Sequence, residues 1–286
     1  MSAFPPTKKL LLSLLIILGT ANVIIFYTIT SQEHLSHLRV SFLDVGQGDA
    51  ILIQTPHNSH ILIDAGPNRK ILQELGALLP RTSRDIDIIL ATHPDTDHIG
   101  GMPDIFERYN IDYYVEPGIA GGSTLDKLVE EYARQESHFI QAAQNQLFDF
   151  GDGVFLQIIY PLAGVPILNN NYSSVVAKLT YGNTSFLFTG DMPKSIEEYL
   201  AERYPETLQS DVLKVGHHGS DTSSSEFFLT TVSPTHTVIS AGKNNTYGHP
   251  HPDVIDRLDA HNITTYQTAT QGTITLISDG YDIYVK

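Results

Sequence analysis

The sequence predicts an α/β protein: one domain of two β-sheets flanked by helices, set behind an N-terminal apolar helix. Three observations predict it. Apolar strand-like runs alternate with stretches of helical spacing in two halves of similar style. No linker-like tract divides those halves, and there is no low-complexity segment or short repeat. Residues 10–30 form an uncharged, mostly apolar run unlike anything after them. With 286 residues, 41% hydrophobic and 17% charged, the chain can bury a sizeable core and does not read as disordered.

At the N-terminus, 21 uncharged residues from Leu10 to Thr30 follow Lys8 and Lys9. As a helix they would span about 30 Å of hydrocarbon. A cleaved signal peptide and an uncleaved anchor both fit. The anchor is favoured because the apolar run continues through Ile24, Ile25, Phe26 and Tyr27, past the small residues Gly19, Thr20 and Ala21. Lys8 and Lys9 should stay in the cytoplasm, which places the bulk of the chain outside it, or secretes it if the segment is cleaved. The expected organisation is an anchor or signal segment over 1–30, a polar linker over 31–38 and a single globular domain over 39–286.

Within that domain 39–44, 50–55 and 60–66 read as strands, the first two joined by the turn Val45-Gly46-Gln47-Gly48-Asp49. Residues 68–79 have helical spacing, and the apolar run 85–92 reads as a buried strand ending at a histidine. Residues 102–109 and 123–135 are expected helices, with a short strand in DYYVEP between them. The second half follows suit. Strands are expected at 154–160, 174–182, 185–191, 211–216 and 235–242, with helices at 193–204, from about 224, and at 252–261, before two or three closing strands. Pro193 suits a helix's first turn.

Composition narrows the chemistry. Without cysteine there is neither a disulfide framework nor a thiolate metal site, so a metal would be held by nitrogen and oxygen. The net charge is −15, or −17 without the N-terminal segment and its two lysines, which repels nucleic acid at long range.

The segment Thr92-His93-Pro94-Asp95-Thr96-Asp97-His98-Ile99-Gly100-Gly101 is decisive. Four ligand-type side chains fall within six residues, directly after an apolar strand. A tight turn there can aim His93 and Asp95 one way and Asp97 and His98 another, as two adjacent cations require of one loop. A solvated polar loop is the bland alternative, but such loops rarely hold two histidines and two aspartates between a buried strand and a glycine pair.

HPDTDHIGG resembles the H-x-H-x-D-H signature of the metallo-β-lactamase superfamily, with Asp95 in place of the second histidine. The opening LDVGQGDA (43–50), the tract HHGS after Val215-Gly216, and Tyr247-Gly248-His249-Pro250-His251 narrow the resemblance to the C-terminal extracellular domain of ComEC-type competence proteins, from about Val40 to the C-terminus. The resemblance implies an αββα sandwich. It implies Asp64 behind the metal ligands, Asp191 in LFTGDMP as the acid bridging two cations, and His217, 26 residues on, as a further ligand. The usual third histidine is missing: between 98 and 191 only His138 occurs, too early in the chain, and Asn170-Asn171-Tyr172-Ser173-Ser174 occupies its place. One site would then use His93, Asp95 and Asp191, with Asn171 or Ser173 nearby. The other would use Asp97, His98, His217 and Asp191. The oxygen-rich first site tilts the expectation towards Mn²⁺, with Zn²⁺ also possible.

Which of His217 and His218 is the direct ligand is left open, and His218 could instead touch substrate or serve structure. His249 is placed in the site, and His251 either faces it or caps the following helix. His34, His37, His57, His60, His236 and His261 read as surface or turn residues; Lys214 and Lys243 could meet a phosphate but read more readily as solvated charges. The resemblance implies a hydrolase using two divalent cations, a phosphodiesterase acting on DNA, single-stranded by preference, with Asp97 in the catalytic centre and His249 or His218 donating a proton to the leaving oxygen. The rival readings are a cell-surface phosphodiesterase on choline or teichoic-acid polymers, a β-lactamase, and a metal-binding module without turnover. The large polytopic channel of the competence proteins is absent, so DNA uptake by this chain alone is not expected, and no obligate protein partner is implied.

Overall fold

The computed structural model describes residues 7–30, 36–80, 82–119, 121–162 and 169–286. Two compact units emerge, Met1–Leu35 and Ser36–Lys286. The first is the helix Lys8–Thr30, 23 residues whose side chains are described through Ile24, with Leu15, Ile17 and Val23 all more than 60% exposed. Among the described residues no helix is long and apolar enough to cross a membrane. The expected span from Leu10 to Thr30 runs beyond those side chains, and most of the expected linker 31–38 lies outside the described residues.

The second unit stacks two sheets. Strands β1 (Leu38–Phe42), β2 (Ile51–Gln54), β3 (His60–Ile63), β4 (Asp85–Leu90), β5 (Asn110–Glu116) and β6 (His138–Gln141) belong to the first. Strands β7 (Leu147–Asp149), β8 (Val154–Tyr160), β9 (Val176–Tyr181), β10 (Thr184–Phe188), β11 (Val212–Lys214), β12 (His236–Ile239) and β13 (Thr264–Gln267) make the second. The chain then returns to the first sheet with β14 (Ile274–Ser278), which pairs β1, and β15 (Ile283–Val285). Each half begins as an antiparallel meander and continues as parallel strands: β3 beside β4, β5 and β6 in the first, β10 beside β11, β12 and β13 in the second. The short edge strands β6 and β7 were not expected from the sequence, because their part-exposed residues carry no apolar run.

Period-two alternation accounts for the layers. In β3, Ile61 and Ile63 face the space between the sheets while Leu62 faces outward; in β10, Phe186 and Phe188 face inward and Leu187 outward. The inner core joins Val40, Phe42, Ile53, Ile88 and Leu90 of the first sheet to Leu156, Ala177, Leu179, Val212 and Val238 of the second. Outside the first sheet, Ile71 and Leu75 of helix Lys70–Leu78, Ile105 of Met102–Phe106 and Val129 of Thr124–Glu136 close the outer core. Outside the second, Leu200 of Lys194–Arg203, Phe228 of Glu226–Val232 and Leu258 of Pro252–Ala260 do the same. Both faces of β2 and β3 are therefore buried, which is why each carries the unbroken apolar run Ile-Leu-Ile. His60, expected at the surface, is buried in β3, where its backbone N–H donates to Asp87 Oδ2 at 2.7 Å.

This layering fixes the site. Parallel strands in both sheets end at the same edge, so the segments following β3, β4, β10, β11 and β12 meet there.

Candidate metal centre

Asp64 follows β3, and three donors converge on its carboxylate. Thr92 N–H reaches Oδ1 at 2.8 Å, while Thr92 Oγ1–H and His98 Nδ1–H both reach Oδ2 at 2.7 Å. The last bond fixes the His98 tautomer and leaves Nε2 directed at Asp191, whose Oδ1 lies 3.4 Å away. Thr92 Oγ1 lies 3.0 Å from His93 Nδ1; because that hydroxyl already donates to Asp64, it accepts from the ring. His93 Nε2 is then free, 3.5 Å from Asp95 Oδ2 and 3.9 Å from Asp191 Oδ2. His93, Asp95, Asp97 and His98 thus lie on one loop between Asp64 and Asp191.

The second half contributes Asp191, directly after β10, and the two histidines after β11. His217 and His218 have left-handed backbones, φ 48° and 54°, followed by Gly219 at φ 82°. Two non-glycine residues in a row there are costly, and with the glycine they turn the chain sharply enough to point both rings inward. A Cβ on Gly219 would lie 2.7 Å from Pro250, so only glycine lets the turn pack against the 249–251 loop.

The structure separates the roles of this pair. His218 is fully buried, its Nε2 3.3 Å from Asp97 Oδ2 and 3.6 Å from Asp191 Oδ2. His217 is partly exposed, its Nδ1 on Thr222 Oγ1 at 3.0 Å and its Nε2 3.5 Å from Asp191 Oδ2. Asp97, His98 and His218 form one compact ligand group, and His93, His98 and Asp191 another. The ring of His249 lies 5.7 Å from that of His217, with Nδ1 unpartnered. His251 instead caps the next helix, its Nδ1 accepting from Asp253 N–H at 3.3 Å.

Other placements correct the sequence reading. Asn170, not Asn171, touches the loop: its amide donates to Asp95 Oδ1 at 2.5 Å. Ser173 supports it indirectly, Oγ–H donating to the Asn170 carbonyl, and Ser174 Oγ accepts from Asp191 N–H at 3.1 Å. Lys214, expected to be solvated, is 1% exposed and bonded to Asp49 Oδ2 at 2.5 Å. The sequence carries no signal for Asp49, an isolated acid in a glycine turn whose burial only the fold creates. His138, as expected, stands apart, exposed beside the Asp112 carbonyl.

Electrostatics here are dominated by burial against opposite charge. Burial opposes ionisation of Asp191, but His218 and His98 outweigh it and hold the carboxyl well below its ordinary range. Burial likewise disfavours the His218 cation, yet Asp191 and Asp49 push its pKa up to about 9. His98 is raised in the same way by Asp191 and Asp64. The carboxylates thus demand positive charge at this point, which protons or metal ions can supply. The decisive observation is which atoms lack partners. His93 Nε2, His98 Nε2, His218 Nε2 and Asp191 Oδ1 are all buried, without a hydrogen bond, and face one another. Buried polar atoms are ordinarily paired, so a divalent cation fits this donor set.

The metallo-beta-lactamase superfamily profile matches residues 43–243. The chain belongs to the metallo-β-lactamase superfamily. Among curated members, ComE operon protein 3 of Bacillus subtilis (strain 168) is 32% identical over 93% of this chain and 36% of its own length. Competence protein ComA of Neisseria gonorrhoeae is 32% identical over 82% of this chain and 31% of its own. The chain therefore spans about a third of these competence relatives. Exodeoxyribonuclease WalJ of Streptococcus pneumoniae (strain ATCC BAA-255 / R6) is 26% identical over 35% of this chain and 37% of its own. Among solved structures, Zn²⁺-bound PqqB from Methylobacterium extorquens superposes with a TM-score of 0.54 at 15% identity, over 80% of this chain and 87% of that one.

Proposed function

We propose that this chain is a phosphodiesterase dependent on two divalent cations, held outside the cytoplasm by its N-terminal helix and cutting DNA. The observation that carries the reading is the ring of unpartnered buried donors around Asp191. His93, Asp95 and Asp191 would hold one ion; Asp97, His98, His218 and Asp191 the other. Charge count supports two. Asp49, Asp64, Asp95, Asp97 and Asp191 bring five negative charges and Lys214 one positive, a deficit of about four that two dications cancel. The first group, with two carboxylates to one imidazole, is the more oxygen-rich and favours Mn²⁺ over Zn²⁺ there. Bound ions would activate water and draw charge from the phosphate oxygens.

The chain's own residues do the rest. Asp64 and Thr92 lock the two ring tautomers, and Asn170 orients Asp95. His218 is committed to Asp97 and Asp191, which leaves His249, beside the half-exposed His217, to pass a proton to the leaving oxygen. Lys214 is spent on Asp49 and cannot greet a phosphate, so substrate anchoring falls on the cations. DNA is favoured by the competence relatives and by the exodeoxyribonuclease match. The net charge of −15 favours a second reading, a choline or teichoic-acid phosphodiester as substrate.

The test is a panel with the full chain in Mn²⁺ or Zn²⁺: single-stranded DNA, duplex DNA, a choline phosphodiester and a cephalosporin. Cleavage of single-stranded DNA is expected. Cleavage of the choline ester alone would move the substrate, and no phosphodiester turnover by metal-loaded protein would refute the reading. Anchoring rests on the 23-residue helix with its exposed leucines and isoleucines. Expressed in a bacterium, the chain should fractionate with membranes and be digested by protease added outside; a protected cytosolic protein would overturn that.

A further inference from the structure

We propose that Asp49, clamped by Lys214, is the positioning residue for His218, as Asp64 is for His98, and thereby sets the affinity of one cation. The inference rests on the reading that His218 holds a cation. Asp49 and Lys214 are 165 positions apart, one in the glycine turn between β1 and β2, the other ending β11, and both are 1% exposed. Lys214 Nζ donates to Asp49 Oδ2 at 2.5 Å and to the Val215 carbonyl at 3.0 Å. The other oxygen, Asp49 Oδ1, lies 3.2 Å from His218 Nδ1 and has no hydrogen bond of good geometry, while that ring nitrogen bonds the Ser240 carbonyl at 3.0 Å.

The direction of approach decides the role. Asp49 meets the ring at Nδ1, opposite the Nε2 that faces Asp97 and Asp191. It therefore stands behind the ligand, as Asp64 stands behind His98. The same turn also fixes Asp97 through the backbone. Asp49 N–H donates to the Asp97 carbonyl at 3.2 Å, and a Cβ on Gly48 would sit 2.1 Å from that oxygen. One turn thus holds both His218 and Asp97 in place. A lysine is needed because a bare carboxylate would otherwise be buried between the two halves without a compensating charge.

Truncating one partner alone would strand a buried charge, so the test replaces both. The full chain carrying Asp49→Leu with Lys214→Met substitutes an apolar pair of similar volume, a change that is often neutral for folding. A polar version, Asp49→Asn with Lys214→Gln, serves if the first does not fold. Zn²⁺ titration and metal content after dialysis are measured beside the unaltered protein. Two cations are expected for the unaltered chain. Either double variant should bind one of them about 10- to 100-fold more weakly and the other unchanged, the usual size of an outer-partner effect. A folded double variant that binds both ions like the unaltered chain would make the pair a purely structural clamp and overturn the inference. An unaltered chain that binds no ion pair would instead refute the two-cation reading beneath it.

Discussion

The two halves of the domain share one layer pattern yet supply the site in opposite ways. The first half concentrates: His93, Asp95, Asp97 and His98 lie on one loop after β4, ordered by Asp64 from the neighbouring strand. The second half disperses. Asp191, His218 and His249 come from three separate segments after β10, β11 and β12, Lys214 ends β11 itself, and the acid behind His218 is borrowed from the first half. A loop can carry several ligands when a short turn follows a buried strand. Where each strand end supplies one residue, the sheet must bring them together. The first half therefore reads as a motif, and the second becomes a site only on folding.

Altering one residue from each half tests that contrast. Asp191 touches both ligand groups, so Asp191→Ala should loosen both cations together and lower the phosphodiesterase rate by about a thousandfold or more. An active, fully metallated variant would show that the centre lies elsewhere. Asp64→Asn should act mainly on the ion held by His98, which it touches directly, and less on the ion held by His93, which it reaches only through Thr92. Its single remaining oxygen cannot serve Thr92 and His98 together, and the more affected cation should bind about 10- to 100-fold more weakly. Equal loss at both sites would mean that the first-half loop is not ordered separately. Asp95→His, which restores the family's second histidine, should be milder still. Both ions should remain, with the preference of one shifting about tenfold from Mn²⁺ towards Zn²⁺ in competition titrations.

Legibility followed the same division. The layering was readable because short apolar runs mark strands buried on both faces, a signal that the edge strands β6 and β7 lack. His93, Asp95, Asp97, His98, Asp64 and Asp191 were readable from local spacing and resemblance. The choice between His217 and His218 was not, since adjacent residues have equal claims until the left-handed turn buries one and leaves the other at the rim. Nor could spacing tell Asn170 from Asn171, adjacent amides at the start of one 3-10 turn, of which Asn170 reaches Asp95. The Asp49–Lys214 pair was invisible because its partners are 165 positions apart and each, alone, resembles a surface charge.

The smallest expected difference between the halves concerns two carboxylates outside the metal centre. Burial pushes Glu116, at the end of β5, up to about 7, with Glu130 and Asp126 adding to the effect. Burial pushes Glu197, on helix Lys194–Arg203, to about 7 as well. Their partners differ. Glu197 accepts backbone N–H groups from Ser224 at 2.6 Å and Ser225 at 2.8 Å, one on each oxygen, whereas no donor opposes the shift among the causes acting on Glu116 beyond the pull of Arg134. A carboxylate raised from 4.5 to about 7 holds more protons folded than unfolded in that window. Its penalty is absent below pH 4.5, grows as pH rises, and is complete above pH 7. Glu116→Gln should therefore match the unaltered chain near pH 5 and exceed it at pH 8 by about 1–2 kcal/mol, discounted for partial exposure. Glu197→Gln should lower stability at both pH values by about 1–3 kcal/mol, because its amide nitrogen would face a backbone N–H that needs an acceptor. Thermal unfolding of the three proteins at pH 5 and pH 8 checks both signs. If Glu197→Gln were stabilising at pH 8 as well, the two backbone bonds would not offset the charge, and the two carboxylates would be equivalent after all.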